Sequence, residues 1–135
     1  MQTVLIVTVA LHVLAGVFWA GSTFVLARSG GEGAEALAYP QMGAAAVVVV
    51  AGLVLWGLLH AGGFGPQEQV LALGAVCAVA AAGVQGSISL PAVRRLRMAN
   101  GPAAACLRGR IALGQRLAAG LLAITVIAMA TSRYV

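Results

Sequence analysis

Two histidines carry most of the chemical promise of this sequence. His12 stands inside an apolar run from Val4 to Ala27 that holds no formal charge, and His60 closes a second such run. Around His12, the residues Thr8, Gly16, Trp19 and Thr23 recur at spacings of four and three, which places them on one helical face. Gly52, Trp56 and His60 share a face in the same way. An ionisable group within a membrane-type segment reads by default as functional. Neutral imidazoles on facing helices can hold a haem iron, whose potential the axial ligands tune, and nearby glycines leave room for a flat ring. The cofactor-binding candidates are therefore His12, His60, Gly16, Trp19 and Trp56, with His12 and His60 as metal ligands.

Other residues offer variants of this chemistry. Copper is the alternative metal, since imidazole suits it and Met42, Met129 or Cys77 could add a soft ligand. A polar layer of Ser22, Thr23, Gln85, Ser87, Gln115 and Arg116 is expected at one depth, away from His12. Arg116 either reaches the headgroups or holds an anionic group such as a propionate inside the bundle. No serine–histidine–acid set is available, because the sequence has no aspartate and its three glutamates all fall in or at the edge of expected loops. Glycine-rich stretches here connect helices and follow no strand, so none is a phosphate-cradling loop. Cys77 and Cys106 are expected as free thiols. Redox chemistry would need a bound cofactor, and no catalytic residue is assigned.

The elements that must position these groups follow from composition. Of 135 residues 61% are hydrophobic and 8% charged, far below the roughly 25% charged residues of soluble domains. Mean hydropathy is +1.01. The expected fold is all-α: a single-domain integral membrane four-helix bundle over residues 1–135, with helices at about 3–28, 41–60, 67–90 and 111–132. The first helix has no basic leader and too long an apolar run for a cleaved signal, so it is expected to be retained. Tyr39-Pro40 is expected to open the second helix and Pro91 to close the third. The small residues Ala78-Val79-Ala80-Ala81-Ala82-Gly83 suggest close packing of the third.

All eight basic residues are arginine, and the net charge is +5. Arg28, Arg94, Arg95, Arg97, Arg108 and Arg110 fall in the first and third connections, against Arg133 alone at the other end. That asymmetry places those connections in the cytoplasm, where they would meet anionic lipid, and both termini outside. With Arg28 paired to Gln41 across the first turn, His12 would lie level with Gly57. His60 would then be about three residues, or about 4.5 Å, shallower.

Leu11-His12, Trp19 and Gly21 on a first membrane helix resemble the opening of the copper-resistance D (CopD-like) proteins and the related four-helix HemJ-type protoporphyrinogen oxidases. Met42, Gly52-Leu53 and Leu55-Trp56 on the second helix fit the same group. So do Arg110 and Arg116 ahead of a helix that ends Met129 to Arg133-Tyr134. The resemblance implies a four-helix bundle in a bacterial inner membrane, with His12 serving haem binding or metal handling. The oxidase pattern also expects a third-helix lysine, and this chain has no lysine, so that activity is not carried over. Three functions follow as expectations. The first is b-type haem binding for electron transfer or haem handling. The second is CopD-like copper handling, and the third a cofactor-free subunit that assembles with a membrane partner or with its own copies.

Overall fold

The computed structural model describes residues 1–135 and contains helices only, with no strand. Helix α1 spans Gln2–Arg28, α2 Ala34–Leu59 and α3 Pro66–Val84. A π-helical turn at Gln85–Ser89 leads into α4, Leu90–Leu96. Helix α5 spans Pro102–Thr131 and ends in a 3-10 turn, Ser132–Tyr134. Taken as continuous segments, four of these are long and apolar enough to cross a membrane: Gln2–Arg28, Ala34–Leu59, Pro66–Leu96 and Pro102–Tyr134.

Three boundaries differ from those expected, each for a local reason. Helix α2 begins at Ala34 rather than near Gln41, so Pro40 lies within it. Glu35, Ala36, Leu37 and Ala38 are good helix formers, and Ala34 and Ala38 are buried against Leu26, Val93 and Ile111. That packing offsets the roughly 3 kcal/mol that an interior proline costs. The turn shrinks to Ser29–Gly33, where Gly30, Gly31 and Gly33 all take positive φ. At Gly31 a side chain would also meet the Arg108 carbonyl at 3.0 Å.

Pro91 does not end the third span; the helix passes through it to Leu96. A proline in an α-helix removes one hydrogen bond and clashes with the carbonyl four residues back. Here the π-turn at Gln85–Ser89 stands just before it and widens the backbone where that clash would fall. The last helix starts nine residues earlier than expected, at Pro102 after Gly101, whose φ is +59°. Most of the basic segment is therefore helical, and the connection is only residues 97–101.

Few large side chains are buried. One core cluster joins Trp19, Ala45, Val48, Ala78, Ala81, Ala118 and Leu122, so alanines bring the backbones of four helices close together. Gly74 of α3 lies against Ala128 of α5, where an added Cβ would sit 3.2 Å from the alanine methyl. Thr125 of α5 donates to the Gly74 carbonyl at 2.9 Å. Large apolar side chains such as Val13, Leu14, Val17, Val126 and Ile127 point outward instead. Helix α1 packs on α2 and α5, and α3 packs on α5, whereas α2 and α3 scarcely touch. That gap is where the candidate site lies.

Candidate functional site, an apolar cavity holding two histidines

The hairpin of α1 and α2 sets the position of His12. Its Nδ1 donates to the Val48 carbonyl at 3.0 Å, and a Cβ on Gly52 would meet its Cε1 at 3.2 Å. Gly16 faces Val48, and Gln41 is bonded to Ser22 and Thr23. His12 is therefore level with Gly52, not Gly57. The short turn and the early start of α2 account for the slip. His60 lies eight residues beyond Gly52, so the two imidazoles are offset by about 12 Å along the helix axis rather than about 4.5 Å.

Even so, both rings line one cavity of about 550 Å³ between α2 and α3. Its walls are apolar, built from residues such as Val48, Leu55, Trp56, Leu71, Ala75 and Val76, and Met129 of α5 reaches it as well. The volume falls in the usual range for small-molecule sites, roughly 300–1,000 Å³. His12 is anchored through Nδ1 to a carbonyl, which makes that nitrogen the N–H donor and leaves Nε2 with its lone pair. Metal-ligating histidines are commonly held in this way. His60 terminates α2, its ring 5.4 Å from Trp56 at 33°, and Trp56 in turn meets Phe64 at 6.4 Å. Its Nδ1 is buried and has no hydrogen-bond partner. An orphaned buried nitrogen on a cavity wall is a group that a bound ligand could satisfy.

The remaining expected site residues separate. Trp56 lines the cavity, but Gly16, Trp19 and Arg116 do not. Gly16 is part of the α1–α2 contact. Arg116 donates from Nε to the Ala27 carbonyl, fifteen residues along α1 from His12 and so about 22 Å away. It cannot hold an acidic group of a ligand at His12. Among the soft candidates only Met129 reaches the cavity. Met42 lies beside Gly86 of the π-turn, and Cys77 is buried outside the cavity wall. Nowhere do three or more His, Cys, Asp or Glu side chains converge.

Trp19 belongs to something the sequence reading saw only in part. Its Nε1 donates to Gln85 Oε1 at 2.7 Å. Gln85 Nε2 donates to Thr23 Oγ1 at 2.9 Å and to Gln115 Oε1 at 3.0 Å. Gln115 Nε2 donates to Gln41 Oε1 at 3.0 Å, and Gln41 Nε2 faces Ser22, Thr23 and Gln115. Gln41, Gln85, Gln115 and Trp19 are each only 1% exposed, so this clasp joins all four spans in a dry interior. Gln41, expected to be the first residue of a helix, lies inside α2, and Ser87 is exposed and bonded to its own helix. A glutamine inside each of three apolar spans, away from their ends, is the signal that the sequence offers.

Comparison with models of known families, with curated proteins and with solved structures finds no match. The reading of the site therefore stands on its own chemistry.

Proposed function

We propose that the chain is a multi-pass membrane protein that binds b-type haem in the cavity between α2 and α3, where His12 would hold the iron. The observation that carries this reading is the tethered His12. Its Nδ1 is committed to Val48, and the ring lines an apolar cavity large enough for a planar cofactor. His60 meets the same ligand further along, and Trp56 lines the cavity beside it. Bound there, haem would supply one-electron chemistry; the residues hold and orient it and exclude water. The arginine asymmetry orients the chain with the first and third connections in the cytoplasm and both termini outside. The cavity would then open in the outer half of the membrane, a bacterial inner membrane in this reading. No enzymatic role is assigned.

An optical spectrum of protein made under haem-replete conditions, with and without dithionite, tests this directly. A Soret band that His12→Ala abolishes is the expected result; its absence from the unaltered protein would sink the reading. A copper-handling role is favoured by one observation, that Met129 lines the same cavity as the two histidines; its thioether with one of the imidazoles would suit Cu(I). Copper retained at one ion per chain without a Soret band, and lost in Met129→Leu, would establish that reading instead.

A further inference from the structure

At the opposite end from the cavity, three arginines converge on the first turns of α2. Arg94 donates from Nε to the Tyr39 hydroxyl at 3.2 Å. Arg97 places its guanidinium 5.4 Å from the centre of the Tyr39 ring and donates to the Glu35 carbonyl at 3.3 Å. Arg108 makes the ion pair of this cluster, with Glu35 at 3.2 Å. Glu35 is thus already matched.

We propose that Arg94, Arg97 and Tyr39 form a binding site for a phosphate group, in a lipid headgroup or free in solution. Arg94 in the last turn of α4 and Arg97, the residue that caps it in helical conformation, stand three apart and hence on one face, and both rest on a single phenol. Every partner they have is neutral: a hydroxyl, a ring face and a backbone carbonyl. Two like charges are therefore held in place without a counter-charge, an arrangement that a bridging anion stabilises. Guanidinium forks match phosphate oxygens in geometry and form strong charge-assisted bonds with them. Setting topology requires only charge near the ends of spans, and Arg28, Arg95 and Arg110 supply that with no side-chain partner at all. Fixed orientation is a property of Arg94 and Arg97. The site is independent of whatever occupies the cavity.

The test compares two double variants of equal charge, Arg94→Gln/Arg97→Gln and Arg95→Gln/Arg110→Gln. Each is purified in neutral detergent and titrated with phosphatidylglycerol, and bound lipid is counted by native mass spectrometry. The unaltered protein should retain one phosphatidylglycerol per chain in preference to phosphatidylcholine. The first variant should bind about tenfold more weakly or worse, and the second should change by less than roughly threefold. A parallel titration with inorganic phosphate in phosphatidylcholine nanodiscs identifies the source: saturation there assigns a soluble phosphate, and saturation only with phosphatidylglycerol assigns a lipid. Equal losses in the two variants would overturn the proposal. So would an unaltered protein that saturates with neither probe, a result that stands even if a variant fails to fold.

Discussion

Gln85→Leu should be among the most damaging single substitutions in this chain. Gln85 accepts from Trp19 and donates to Thr23 and Gln115, all within a region that water does not reach. Leucine leaves Thr23 and Gln115 with the Gln41 amide, but the indole N–H, which can only donate, loses its sole acceptor. An orphaned buried donor costs about 1–3 kcal/mol. Bonds between helices in a bilayer are individually smaller, averaging about 0.6 kcal/mol, so the two surviving partners add about 1 kcal/mol at most. The expected loss is about 2–3 kcal/mol, measured as reversible unfolding in mixed micelles with increasing dodecyl sulfate. Because leucine also changes shape, the decisive measurement is the cycle with Trp19→Phe, which removes the stranded donor. The double variant should be more stable than the sum of the two losses predicts by about 1–2 kcal/mol. A loss below about 0.5 kcal/mol, or additive effects within that margin, would refute the claim that the clasp is a coupled network.

Gly114→Ala should destabilise by about 1–3 kcal/mol, since its Cβ would sit 2.6 Å from Ser89 Oγ. Ser89→Ala alone should be nearly neutral in the same unfolding measurement, because that hydroxyl is buried without a partner, and it should relieve much of the Gly114→Ala loss. Gly52→Val should push the His12 ring off its Val48 anchor and so weaken or shift any Soret band more than it lowers stability. Glu35→Gln should cost less than about 1 kcal/mol, because both partners of its ion pair are more than a third exposed. Cys106 is exposed beside the arginine-rich connection and Cys77 is buried. A membrane-impermeant maleimide should therefore label only Cys106, and only from the cytoplasmic face; labelling from outside would reverse the proposed orientation.

Four apolar spans and their order were legible because composition alone dictates them: 61% hydrophobic residues with 8% charged leave few alternatives. Their ends were not, and prolines account for the errors. Pro40 and Pro91 were read as boundaries, yet each lies inside a helix, one supported by buried alanines before it and the other preceded by a π-turn. A π-turn leaves no local trace in sequence, since it is a response to tertiary packing and to the proline that follows. The slip in the α1–α2 register is the same error carried forward: seven residues moved from loop to helix brought His12 opposite Gly52. His12, His60 and Trp56 were nevertheless gathered on one cavity, because helical periodicity fixes which face a residue takes more securely than its depth. Trp19 misled, since a tryptophan near a histidine on one face reads equally as a cofactor wall or as a buried donor. Only the depth of Gln85 decides between them.

The clasp also explains why a cavity can exist beside it. Alanine-lined helices pack closely and would tend to close any void between α2 and α3 if they were free to slide. The glutamines pin all four spans at one level with hydrogen bonds that cannot be exchanged for water, and from there α2 and α3 diverge. Helix α1 links the two regions, for His12 and Trp19 stand seven residues apart, two turns on one face. The position of the His12 ring is thus set from below by the clasp and from the side by Val48 and Gly52. It follows that damage to the clasp should reach the cavity. Trp19→Phe, which lines no part of the cavity, should loosen ligand binding at His12, while Arg116→Gln, next to Gln115 in the chain but outside the hydrogen-bonded set, should not. Equal ligand affinity in the unaltered and Trp19→Phe proteins would show that the two regions are mechanically separate.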